Sequence, residues 1–79
     1  ENWVAALERE VALALARGEK GVMDGFTRQF EKALITKALA YTHGRRIEAA
    51  NLLGLGRNTL TRKIRELDLE PGEPGEGGD

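Results

Sequence analysis

The segment RIEAANLLGLGRNTLTRKIREL, Arg46 to Leu67, gathers side chains suited to recognition rather than to bond making. Arg57, Asn58, Thr61, Arg62 and Arg65 recur at helical spacings, so a helix through them carries all five on one face or its edges. A guanidinium pairs with guanine or phosphate, a carboxamide with adenine, and a threonine hydroxyl with phosphate or base. No nucleophile–base–acid set accompanies them, so neither catalysis nor a cofactor is expected of this chain. There is no cysteine and one histidine, His43, which excludes thiolate and multi-histidine metal sites. Gly54-Leu55-Gly56 is not a phosphate loop, because no strand precedes it and no Gly-Lys-Ser/Thr follows.

For such a face to be presented, its helix must cross a second helix steeply. Ala50 is the small residue such a crossing needs, and Gly54, four residues on, tolerates the positive φ of the turn. Leu53 and Leu55 flank the turn, and Leu60 and Ile64 stand i, i+4 to pack back. Lys63 occupies a place where an apolar residue is more usual. Its stem is expected along the core margin and its amine outside. The predicted pair of helices covers about Arg46 to Leu53 and Arg57 to Leu67. Charge supports a polyanion partner: residues 44–65 hold six bases against Glu48 alone, a local excess that the whole-chain net of −1 conceals. Arg45 and Arg46, at the start of the third helix, are expected to act on phosphate.

Two helices are predicted upstream. The first runs from an Asn2 cap to about Arg17, with Val4, Leu7, Val11 and Leu15 on one face. Gly18 to Val22 reads as a loop. The second runs from an Asp24 cap through about Gly25 to Thr42, with Phe26, Phe30, Leu34 and Ala38 at i, i+4 spacing. Ile35, Leu39 and Tyr41 widen that stripe. Gly44 is a C-terminal stop and His43 lies in the last turn. Glu8, Glu10 and Glu31 read as solvated faces, and Trp3 as a packing or dimer-edge residue. No run alternates as a strand would, so the fold class is all-α with four helices. The apolar face is broad for a hairpin in a 79-residue chain, and without disulfides or metal, oligomerisation is the remaining aid to stability.

Residues 70–79, EPGEPGEGGD, have no apolar member and are expected to be a disordered acidic tail. A start at Glu1 rather than methionine is expected of a fragment or processed chain. No signal peptide or membrane span is read, and a cytoplasmic setting is expected.

EAANLLGLGRNTLTRKIREL resembles the C-terminal, Fis-like DNA-binding domain of the NtrC family of sigma-54-dependent enhancer-binding regulators. LLGLGRNTLTRK is its most specific part, and FEKALITKALAYTHGRR resembles it more loosely. The resemblance implies residues 1–44 as a dimerisation unit, four helices in the homodimer, and residues 45–69 as a helix-turn-helix motif on double-stranded DNA. Residues 70–79 fall outside the family pattern. By position, Arg57 and Asn58 would open the recognition helix at base edges, with Thr59, Thr61, Arg62, Lys63 and Arg65 along it at bases or phosphates. Asp68 departs from the family, in which a glycine is common just after that helix. A receiver, an ATPase domain and the contact with sigma-54 RNA polymerase would lie outside this chain. The rival readings are a stand-alone Fis-like DNA-bending protein and a protein-docking module without DNA.

Overall fold

The computed structural model describes residues 2–69 and contains four helices there: α1 (Trp3–Ala16), α2 (Val22–Tyr41), α3 (Arg46–Leu53) and α4 (Arg57–Glu66). The acidic segment 70–79 lies outside the described residues. The all-α class and the four helices are as expected.

Asn2 caps α1, its Oδ1 accepting from the Val4 amide at 2.7 Å. The start of α2 differs from the reading of Asp24 as its cap. The helix begins at Val22, behind Gly21 in the left-handed region (φ 69°), and Asp24 lies within its first turn. A carboxylate there still meets the positive end of the helix dipole. Of the extra residues Val22 is half-buried and, with the exposed Met23, lines an apolar cleft between α1 and α2 beside Leu7, Val11, Phe26 and Phe30. α2 ends at Tyr41, one residue before the expected Thr42.

All four helices close in the same way. Glu19, Gly44, Leu55 and Leu69 donate their amides to the carbonyls five residues back, those of Ala14, Leu39, Ala50 and Ile64, at 2.8–3.1 Å. The residue before each donor is left-handed: Gly18, His43, Gly54 and Asp68. The stop of α2 is therefore His43, one residue ahead of the expected Gly44.

The core lies where α2, α3 and α4 meet. Ile35, Ala49, Ala50, Leu60, Ile64 and Leu67 are buried, with Ala38, Leu39, Leu53, Leu55 and Leu69 packed against them. Ala50 sits at the crossing as read, and Ala49 beside it is sealed as well. The broad stripe of α2 is in fact two faces. Ile35, Ala38 and Leu39 turn to the core, whereas Phe30 and Leu34 remain 48% and 46% exposed. α1 rests mainly on α2, where Trp3 stacks on Phe30 with ring centroids 6.0 Å apart.

Candidate nucleic-acid interface

The turn Gly54–Gly56 brings the start of α4 beside the start of α3. Gly54, at φ 79°, reverses the chain, and the Leu55 amide that follows it binds the Ala50 carbonyl at 2.9 Å. Leu60 and Ile64, 0% and 1% exposed, fix the inward face of α4. By helical geometry Asn58 and Arg65 then point away from the core, and Thr61 lies half-buried at its edge. Arg57 stands on the row of Leu60 and Ile64 but is exposed, because it is the first residue of α4 and lies beyond the core.

An open depression joins the two helix starts. Gly44, Arg45, Arg46, Ile47 and Glu48 line it from the α3 side, and Arg57, Asn58 and Thr61 from α4. The structure thus brings together five of the nine residues expected to meet nucleic acid. The remaining four are dispersed. Arg62 pairs with Glu66 at 3.7 Å along the exposed side of α4, and Arg65 is exposed in the last turn. Thr59 is half-buried, one helical turn before Lys63. Lys63 turns inward, its Nζ 3.0 Å from Glu31 Oε2 of α2, with side chains 24% and 30% exposed. Glu31, expected to be merely solvated, is therefore an interhelical partner.

Arg45 is partly engaged by the protein itself. Its Nε donates to the Thr42 carbonyl at 3.1 Å and its Nη1 lies 3.4 Å from Glu48 Oε2. These contacts fix the stem of the guanidinium at the joint between α2 and α3 while leaving its side chain 64% exposed. Arg46 is half-buried at the first position of α3.

Sequence reasoning passed over three participants. Thr42 is buried at that joint, its Oγ1 3.0 Å from the Arg45 carbonyl and 3.3 Å from that of Leu39, so it ties the end of α2 to the start of α3. Nothing in its spacing marks it. Ile47 is an exposed apolar residue in the basic depression. Arg28 donates from Nη2 to the Glu66 carbonyl at 3.4 Å. Its signal was legible: Arg28, Glu31 and Ile35 stand at i, i+3 and i+7, so they share a face.

These side chains present cations and amide and hydroxyl donors along one rim, on a two-helix crossing with a sealed core. Such an arrangement binds anions and reads hydrogen-bonding edges; it offers no acid–base pair at reacting distance. Among the described residues no group of three histidines, cysteines or carboxylates could hold a metal ion, and no helix is long and apolar enough to cross a membrane.

Residues 26–67 match the family described as bacterial regulatory protein, Fis family, which takes in α3, α4 and nearly all of α2. Relatives extend the likeness to α1. The chain is 44% identical over 70 residues to the DNA-binding transcriptional regulator NtrC of Proteus hauseri, covering 89% of this chain and 15% of that protein. It is 41% identical over 70 residues to that of Escherichia coli K12, with the same coverage. It is 50% identical over 75 residues to that of Azospirillum brasilense, covering 89% of this chain and 16% of the relative. The chain thus spans about one sixth of the length of the curated relatives it matches. No solved structure matches it. By the match over α2 to α4, which contains the whole two-helix crossing, the chain belongs to the Fis family of bacterial regulatory proteins.

Proposed function

We propose that this chain binds double-stranded DNA sequence-specifically, as the C-terminal domain of a sigma-54-dependent regulator of nitrogen metabolism. One observation carries the reading: the basic depression that unites Arg45 and Arg46 with Arg57, Asn58 and Thr61. In this reading α4 enters the major groove, Arg57 and Asn58 meet base edges, and Arg45 and Arg46 hold phosphate. Arg65 and Arg62 lie farther along α4, towards the flanking backbone. The names of the relatives support the regulatory role, and the nitrogen and sigma-54 assignments rest on that similarity. The setting is the cytoplasm, where such a regulator meets DNA.

The domain acts as a homodimer through α1 and α2. What supports this is the apolar surface that the single chain leaves in water: Val4, Leu15, Phe30 and Leu34 are exposed, and Leu7, Val11 and Phe26 are only half-buried around the cleft. A two-fold dimer places two recognition helices about 34 Å apart, one turn of B-DNA, on a two-fold site. Selecting bound sites from random duplexes tests the function. Recovery of a two-fold sequence is the expected result, and recovery of no sequence, with equal binding to all duplexes, contradicts it.

A further inference from the structure

The face of α2 that meets the helix-turn-helix changes character along its length. Its second half is apolar, with Ile35, Ala38 and Leu39 in or against the core. Its first half is charged, with Arg28 and Glu31 three residues apart. The inward row of α4 runs the opposite way. Leu60 and Ile64 are sealed, Lys63 flanks them, and past Ile64 the backbone carbonyl of Glu66 meets α2 while its side chain lies exposed beside Arg62. Glu31 takes Lys63, and Arg28 takes the Glu66 carbonyl. A step of three residues forward on α2 thus matches three residues backward on α4.

We infer that this antiparallel pair of links is a brace that sets the angle at which α4 presents its basic face, and that Lys63 is a positioning residue rather than a DNA contact. The inference rests on the DNA-binding reading above. Three physical observations carry it. First, α2 and α4 each pack mainly on α3, and apart from the apolar cluster around Ile35, which is not directional, few restraints join the dimer-forming helix to the recognition helix. These two links do so across 32 and 38 residues of sequence. Second, Glu31–Lys63 is more sheltered than the ion pairs of Arg17, Arg45 and Arg62. Its side chains are 24% and 30% exposed, against 48–64% in those three. Shelter reduces screening by salt and strengthens the coupling. Third, the Glu66 carbonyl belongs to the last turn of α4, where carbonyls lack helical partners and a cation complements the dipole. Glu31 therefore holds the inward flank of α4 as the stronger point, and Arg28 reaches the helix end through a longer, exposed bond. Two points of attachment, one turn apart, resist a tilt that one could not. Base readout depends on such small angles, since a site tolerates only about 0.5 Å or 10–20° of misplacement.

The test uses fluorescence anisotropy on a selected duplex and on a random one, over a series of salt concentrations. Glu31→Gln is the informative variant, because it keeps Lys63 and removes only the partner charge. The brace predicts that it weakens selected-site binding by about five- to tenfold and leaves random-duplex binding within about twofold. A direct DNA contact by Lys63 predicts the opposite sign, tighter binding to both duplexes from a released cation. The exchange of Glu31→Lys with Lys63→Glu is the second variant. It rebuilds the pair with the charges reversed and is expected to recover most of the affinity lost by Lys63→Glu alone. An exchanged protein as weak as Lys63→Glu, or a Glu31→Gln variant with unchanged or tighter selected-site binding, overturns the brace. A salt slope that falls by about one in Lys63→Met also overturns it, because that is the mark of a lost phosphate contact. Wild-type protein that binds neither duplex removes the DNA reading itself, whereas wild-type binding with unaffected variants removes only the brace.

Discussion

His43 and Asp68 occupy the same position at the ends of α2 and α4 and hold the same backbone conformation, with φ 58° and 60°. Glycine fills the equivalent place after α1 and α3, as Gly18 and Gly54. A side chain in that region crowds the following carbonyl. Asp68 adds a second cost, since its carboxylate sits at the negative end of the α4 dipole. Asp68→Gly is expected to stabilise the domain by about 0.5–1 kcal/mol, and His43→Gly by somewhat less. Thermal unfolding at fixed protein concentration checks both; a loss of stability in Asp68→Gly would show that its side chain contributes something the conformation does not.

The crossing of α3 and α4 tolerates little change in volume. Ala49 and Leu60 are both fully sealed, and Ala50 is 2% exposed. Leu60→Ala should cost about 2–5 kcal/mol through lost burial and a residual cavity. Ala50→Leu should cost about 1–3 kcal/mol by forcing the helices apart. Denaturant unfolding of the two variants measures this, and a cost below about 0.5 kcal/mol for Leu60→Ala, the range of ordinary surface changes, would mean that the crossing is not the core.

Arg57 and Arg45 lie in one depression but should differ in what they read. Arg57→Ala is expected to cost about 1–3 kcal/mol on a selected site and much less on random DNA. Arg45→Ala should weaken both about equally and lower the salt slope, with part of its effect arising from the lost contact with the Thr42 carbonyl. Titrations on both duplexes separate the two, and an equal loss for Arg57→Ala would make it a phosphate contact.

Leu34 stands on the outward face of α2, nearly half exposed in the single chain. Leu34→Asp is expected to shift sedimentation from dimer to monomer at micromolar concentration and to weaken DNA binding in parallel, because a single half-site is held poorly. Its melting should lose any dependence on protein concentration. A variant that remains dimeric places the interface elsewhere.

Much of this architecture could be read from local signals. The Ala50, Gly54, Leu60 and Ile64 spacing fixed the crossing, because steric demands there leave few alternatives. The basic character of the depression followed from the charge segregation around it, and its shape comes from the crossing of α3 and α4. What could not be read depends on distant partners. Glu31 and Lys63 are separated by 32 residues, so neither residue's local spacing names the other. The imperfect fit of Lys63 on an apolar row was the visible half of that pair. The start of α2 differs from the sequence reading because Asp24 is acceptable both as a cap and in a first turn, and the left-handed Gly21 before a half-buried Val22 sets the earlier start. The left-handed His43 was obscured by Gly44, which has the easier conformation one residue later.

The most direct test of the central claim is an NMR titration of the labelled domain with a selected duplex. The account predicts that amide shifts concentrate at Arg45 to Ile47 and Arg57 to Thr61, the two rims of the basic depression. Shifts confined instead to α1, or to the surface around Tyr41 and Leu52, with the depression unmoved, would contradict it.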